Sequence, residues 1–451
     1  MTQPQTPAGP RPVDGVRTVV TGIGLLTPNG SGLEEFWEAT LEGRSGIGPL
    51  TRFDASRYPA RLAGEVTGFE PARHLPGRLL PQTDLSTQLA LVAGDRALQD
   101  AKVEPGAYAD YEMGVVTANA CGGFAFTHRE FRKLWSQGPE AVSVYESFAW
   151  FYAVNTGQIS IRNALRGPSS ALVTEQAGGL DAIGQARRTI VDGTPLVVTG
   201  GVDSALDPWG WASQIAGGRV SPSTDPAAAY LPFDRGALGH VPGEGGALLV
   251  LEDADAAHRR GAQQIYGEIA GYAATFDPPP ALDRAPTPPG SAPPSGLGRA
   301  ARLALAQAGV APREVDVVFA DGAGVTELDR AEADALADLF GPHGVPVTVP
   351  KALTGRLLSG AGPVDVAAAL MSIRDGVIPP TPGGTVPEEY RIDLVRGRPR
   401  AARVGCALVL ARGRWGFNAA VVVRDAPADP ARPEPPGTAS HLARTIHTPR
   451  S

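Results

Sequence analysis

Apolar positions along this chain fall into two rhythms. Short continuous or β-branched runs alternate with stretches whose apolar residues recur every three or four positions, the pattern of strands alternating with helices. Arg17–Thr21 reads as a strand, the glycine-rich 22–30 as a turn, and Ser31–Glu42 as a helix with Leu33, Phe36, Trp37, Thr40 and Leu41 on one face. Leu85–Lys102 predicts an amphipathic helix. Met113–Ala118, Leu196–Gly201 and Gly246–Glu252 predict strands. After a proline-rich stretch over 277–294 the same grammar restarts. Helices are expected over 298–309, 331–340 and 364–374, and strands over 315–320, 407–411 and 419–423. This alternation predicts an α/β fold, and the restart suggests two halves related by internal duplication.

One junction in that pattern carries chemistry. The apolar run Ala171-Leu172-Val173-Thr174 meets the small-residue helix start Ala177-Gly178-Gly179 at Glu175-Gln176. Strand, sharp turn and helix make an elbow that presents a nucleophile at a positive helix end. A thiol there would have its pKa lowered and become reactive. Gln176 offers only an amide, which is a poor nucleophile. It can instead satisfy buried backbone groups at the helix start. Farther along, Phe124, Thr127 and Phe131 stand at i, i+3 and i+7, so a helix would place them on one face. On spacing alone they read as core aromatics.

Composition narrows the classes. At 451 residues the chain can bury one large core or two. The net charge of −7 argues against nucleic acid as a partner. No apolar run approaches the roughly 18 residues of a membrane span. Residues 1–15 read as a disordered lead and not a signal peptide, and the Pro/Ala/Arg-rich 425–451 as a disordered tail. Two distant cysteines, Cys121 and Cys406, suggest a reducing cytoplasm without disulfides. Cys121 follows a strand in a glycine-flanked segment but reads as a small buried thiol. The histidines, at 74, 128, 240, 258, 343, 441 and 447, lack metal-ligand spacing. The Gly22/Gly24 pair lacks a third glycine or a following Lys-Ser/Thr, so no nucleotide site is expected there.

Several strings taken together resemble the β-ketoacyl synthases. They are Val-Thr-Gly-Ile-Gly at 20–24, the elbow at Gln176, Gly200-Gly201-Val202-Asp203, Pro232-Phe233-Asp234 with Gly243-Glu244-Gly245-Gly246, and Val349-Pro350-Lys351 with Gly355. The likeness spans about 16–424. It implies a thiolase fold, with duplicated α/β halves over 16–265 and 266–424 in a five-layered α-β-α-β-α arrangement. An active member would carry Cys at position 176, His at position 323 and His at position 356. This chain has Gln176, Ala323 and Arg356 instead, and Arg414 stands where a gating Phe would be. The thiolate would carry the acyl chain, and the imidazoles would assist decarboxylation and stabilise oxyanions. Lys351 alone remains, as a structural cation. Glu244 is expected to tie glycine-loop backbones.

This pattern of losses is similar to the ketosynthase β subunits, or chain length factors, of type II aromatic polyketide synthases, most nearly the actinorhodin type. Glu175–Asp181, Tyr145–Tyr152 and Asp203–Trp211 carry that likeness. The resemblance implies an obligate heterodimer with a ketosynthase α subunit and a large apolar interface. It implies an acyl carrier protein bearing malonyl and polyketide groups on phosphopantetheine, and no cofactor. The chain would not condense by itself. Phe124, Thr127 and Phe131 would line a gate that sets chain length, with two phenylalanines and a threonine matching an octaketide. The alternative is a malonyl-carrier-protein decarboxylase that uses the Gln176 amide to supply acetyl primer.

Overall fold

The computed structural model describes residues 15–277 and 295–426. Among these residues eleven strands form one mixed sheet. They are β1 (Thr18–Leu26), β2 (Met113–Ala118), β3 (Ser169–Leu172), β4 (Leu196–Asp203), β5 (Gly245–Asp253), β6 (Gly267–Phe276), β7 (Val317–Phe319), β8 (Pro346–Thr348), β9 (Asp393–Leu394), β10 (Cys406–Arg412) and β11 (Phe417–Arg424). Across the sheet they run β9-β8-β7-β10-β11-β6-β1-β5-β4-β2-β3.

The sheet is two sheets in all but name. Its middle link, β1 to β6, consists of the pairs Val19↔Glu268 and Val20↔Gly267. On one side β1 runs antiparallel to β5 and β5 to β4, whereas β4 is parallel to β2 and β2 to β3. On the other side β6, β11, β10, β7 and β8 repeat those four relations in that order. The duplication suggested by the sequence grammar is therefore a repeat of topology.

Nine helices of nine residues or more among the described residues position the rest: α1 (Leu33–Leu41), α2 (Leu85–Asp100), α3 (Phe124–Gln137), α4 (Val154–Asn163), α5 (Gly178–Val191), α6 (Pro208–Ala216), α7 (Gly296–Ala308), α8 (Thr326–Phe340) and α9 (Ala361–Asp375). Helix α2, with α4 against it, covers the first group of strands, and α7 with α8 covers the second. Helices α5 and α9 touch strands of both groups and form the central layer. The order is thus helix, sheet, helix, sheet, helix. The central layer must be thin, which explains its small residues. A Cβ on Gly179 would lie 2.2 Å from Pro363 Cδ, and one on Gly184 would lie 2.3 Å from the Tyr272 ring. Residues 361–372 of α9 are all buried.

Three expectations need correction. The glycines at 22 and 24 do not make a turn; β1 runs through them with a register shift between Val20 and Gly22. The reason is helix packing. A Cβ on Gly22 would lie 2.3 Å from the Ala97 carbonyl oxygen, and one on Gly24 would lie 2.0 Å from that of Ala93. The run at 171–174 leaves the ladder after Leu172, and α8 begins at Thr326, five residues before the expected start. Asp425 is still tied to the sheet, its N–H donating to the Gly405 carbonyl at 2.9 Å. The expected lead, the proline-rich stretch and the tail otherwise lie outside the described residues.

Candidate functional site

The elbow forms as its sequence suggests. After β3 the chain turns through Glu175–Ala177 and enters α5, and Glu175 takes the left-handed φ of +52°. The Glu175 carboxylate stabilises the turn by accepting from Gln176 N and Arg414 N, both at 2.8 Å. Gln176 itself points into packing. It is 1% exposed, and neither amide atom has a partner among the described residues. A buried polar group left unpaired costs roughly 1–3 kcal/mol.

A cavity of about 280 Å³ lies in front of the elbow. Ala323, Arg356 and Arg414 line it, together with Phe124, Cys121 and Glu175. Gln176 and Lys351 are not among its lining residues and sit behind the wall. Arg356, 7% exposed, reaches Asp321 Oδ1 at 3.0 Å and also donates to the Arg412 carbonyl at 3.0 Å. Burial pushes the Asp321 carboxyl up, but Arg356, Lys351 and Arg412 outweigh it and hold the group below its ordinary range. Burial lowers the Arg356 pKa, yet Asp321 reverses this and raises it. An ion pair therefore occupies the place expected of an imidazole.

Lys351 is fully engaged. Its Nζ stands 2.6 Å from Asp365 Oδ2 and donates to the carbonyls of Ala320 at 2.5 Å and Asp321 at 3.3 Å. The loop that carries Ala323 is pinned from α8. Glu332 accepts from Asp321 N at 2.8 Å and Gly322 N at 3.0 Å, and Asp329 accepts from Phe233 N at 2.8 Å and Gly324 N at 3.1 Å. Glu244 does not tie the glycine loop beside it. It accepts from Val66 N at 3.0 Å and Ser204 Oγ at 2.7 Å and pairs with Arg52. Cys121 is half-buried in the cavity wall and not in the core. Burial, then the Asp203 charge, pushes its thiol far up, so it stays protonated and is a poor nucleophile.

Among the wall residues that sequence reasoning missed are Arg219 and His240. Burial and the positive Arg356 hold His240 well below its usual pKa, so its imidazole is neutral. Both lie in the irregular segment between α6 and β5, where no periodicity marks a face. Their only signal was side-chain type.

Beside the cavity, α3 forms where expected and puts Phe124, Thr127 and Phe131 on one side. Phe124 and Phe131 are half-buried and Thr127 is buried. Trp209 from α6 stands between the two rings, 5.0 Å from Phe124 and 5.8 Å from Phe131 by centroid. Asp207 fixes it there by accepting from Trp209 N at 3.1 Å and Gly210 N at 3.0 Å, capping α6. His128 Nδ1, 2.8 Å from Asp207 Oδ2, ties that cap to α3. The flank continues into exposed aromatics: Trp135 at 76%, Trp150 at 48% and Phe151 at 49%. Among the described residues strand β3 ends the sheet on this side with one edge unpaired. Cavity and flank meet where Phe124, Tyr152 and Val173 line the wall.

Among the described residues no group of three His, Cys, Asp or Glu side chains is placed to hold a metal ion. No described helix is long and apolar enough to cross a membrane.

Comparison with known proteins gives a consistent picture. The family model described as beta-ketoacyl synthase, N-terminal domain, matches residues 16–257, and that of the C-terminal domain matches 266–385. An actinorhodin polyketide beta-ketoacyl synthase 2 of Streptomyces coelicolor is 68% identical over 407 residues, covering 90% of this chain and 98% of the relative. The ishigamide ketosynthase/chain length factor structure superposes with a TM-score of 0.80 at 27% identity, covering 91% of this chain and 99% of that one. A type II acyl carrier protein in complex with its hexaketide-bound ketosynthase, AntDE:AntF, gives a TM-score of 0.80 at 25% identity, covering 91% and 99%.

Proposed function

The chain belongs to the beta-ketoacyl synthase family, and from that premise we propose that it is the non-condensing β subunit of a type II polyketide synthase, a chain length factor. The observation that carries this reading is the Arg356–Asp321 ion pair inside the cavity. Condensation needs a nucleophile and two proton-handling groups in one place. Here the elbow presents a buried amide, the glycine loop Ala323, and the third position a guanidinium locked to a carboxylate. None of these groups attacks a thioester or exchanges a proton near neutral pH.

Shape is what remains. The half-buried Phe124 and Phe131, with Thr127 and the intervening Trp209, form a rigid aromatic face on the flank that also carries the unpaired edge of β3. An α subunit bearing the active cysteine covers that flank, and its polyketide grows along the shared boundary. Each two-carbon extension needs more room, and overpacking against rigid rings costs about 1–3 kcal/mol. This subunit therefore limits the number of extensions, with two phenylalanines and a threonine setting an octaketide. An acyl carrier protein bearing malonyl groups serves the pair in the cytoplasm. The halves over 16–265 and 266–424 act as one rigid frame.

The decarboxylase reading, with Gln176 as the active amide, has less support, because that side chain is buried behind the cavity wall. Reconstitution tests the main reading. The chain alone with malonyl carrier protein makes no polyketide. With its α subunit it makes one, and Phe131→Ala lengthens the product by at least one two-carbon unit. Elongation by the chain alone, or an unchanged product from an intact Phe131→Ala heterodimer, would overturn the reading.

A further inference from the structure

Helices α3 and α6 are each fixed to the body of the fold on the side away from the other. On α3, Phe126 N donates to Asp84 at 2.8 Å, and Glu130 accepts from Ser143 N at 2.7 Å. On α6 the anchor is Trp211, fully buried, whose Nε1 donates to the Ala60 carbonyl at 3.1 Å. Trp209 stands two residues earlier and therefore on the opposite face of α6, towards α3. Two kinds of contact bridge the helices. The Trp209 ring packs on Phe124 and Phe131, and His128 Nδ1 lies 2.8 Å from Asp207 Oδ2.

These contacts differ in how they resist movement. Rings lose little when they slide by a fraction of an ångström, whereas a hydrogen bond weakens steeply off its line. Asp207 is 7% exposed, and its Oδ2 accepts from Trp209 N as well as from the imidazole. The group that aims Trp209 is thus the group that His128 holds. A capping carboxylate offers only lone pairs, so the tie needs its proton on Nδ1.

We propose that His128 is a specificity-determining positioning residue: its hydrogen bond to Asp207 holds α6 against α3 and keeps the Trp209 ring closed on Phe124 and Phe131. The proposal rests on the chain-length reading above. If those rings form the stop, its stiffness is set by whatever prevents them from parting. With the tie cut, Trp209 can back away while Trp211 stays seated, and a longer chain passes at lower cost. His128 acts through Asp207 and takes no part in bond making.

Products of the assembled heterodimer test this. His128→Leu keeps the bulk and removes the donor. His128→Asn places an amide N–H near the Nδ1 position, and His128→Gln carries the same amide one bond farther out. Each pair is assayed with malonyl carrier protein for the ratio of longer to normal polyketide and for total malonyl consumed. We expect His128→Leu and His128→Gln to raise the ratio by about tenfold, the loss of one charge-assisted hydrogen bond, with His128→Asn within about twofold of the unsubstituted pair. Lower total consumption at an unchanged ratio would mean a role in folding alone and would overturn the proposal. Equal ratios for the Asn and Gln variants, or failure of the Asn variant to pair, would overturn it too. If His128→Leu alone does not assemble, the comparison of Asn with Gln decides. If neither Leu nor Gln assembles, the tie is a pairing element and the proposal fails. Phe131→Ala is run in parallel. Lengthening by Phe131→Ala without any change in His128→Leu removes only the latch; no lengthening by Phe131→Ala removes the chain-length reading itself.

Discussion

At the cavity most charged groups are finished within the fold: Arg356 with Asp321, Glu175 with two backbone amides, and Lys351 behind the wall with Asp365, leaving Arg219 and Arg414 over. On the flank beside it the reverse holds. Trp135, Trp150 and Phe151 are exposed, and β3 offers an unpaired edge. A folded monomer rarely leaves such a patch without purpose. The contrast separates what this chain completes by itself from what it leaves for a second subunit. The ionic interior supports the fold, and the proposed function rests on the aromatic flank.

The sharpest way to break that contrast is to unpair the interior. Arg356→Ala strands a fully buried Asp321 and should cost about 3–5 kcal/mol in urea unfolding of the heterodimer. A cost near zero would mean the ion pair does not support the fold.

Acidity probes the same interior. Burial raises Asp329 from 3.8 to about 7, with Glu332 and Asp321 adding to it. The folded state therefore keeps a proton that the unfolded chain has released over that window. This group's contribution is fully present below about pH 4 and is lost as pH rises towards 7, on the order of 4 kcal/mol in all. Asp329→Asn should flatten that part of the stability–pH curve in urea titrations between pH 4 and 7.

On the flank the expected effect is smaller and lies in association. Trp150→Asp leaves the subunit's own melting temperature in place but weakens heterodimer formation by about tenfold in sedimentation. Unchanged association would remove Trp150 from the interface. The smallest effect belongs to the elbow. Gln176→Leu replaces an unpaired amide with a similar volume and should be neutral or stabilise by about 1 kcal/mol, with chain length unchanged. A marked loss of stability would reveal a partner for the amide in the assembled pair.

Much of the frame was legible from periodicity. Met113–Ala118 forms as read, the helix of Phe124 and Phe131 is where the spacing put it, and the restart after the proline-rich stretch proves to be a repeated topology. Errors gathered where a local rule met a tertiary contact. Gly22 and Gly24 look like turn residues in isolation, and only the approach of α2 explains them as strand. Strand β6 went unread, because its small residues carry no clear two-residue rhythm. The elbow was visible because strand, strained turn and helix start are contiguous in the chain.

By itself, then, the sequence determined the elements, the duplication and the substitutions at 176, 323, 356 and 414, since each depends on neighbouring residues or on a motif. It could not place Trp209 between Phe124 and Phe131, unite Arg219 and Arg414 at one cavity, or set Gln176 behind its wall. These pairings join residues tens to hundreds of positions apart. They exist only once two sheets close on the thin central layer, and side-chain type alone does not say which distant groups that closure brings together.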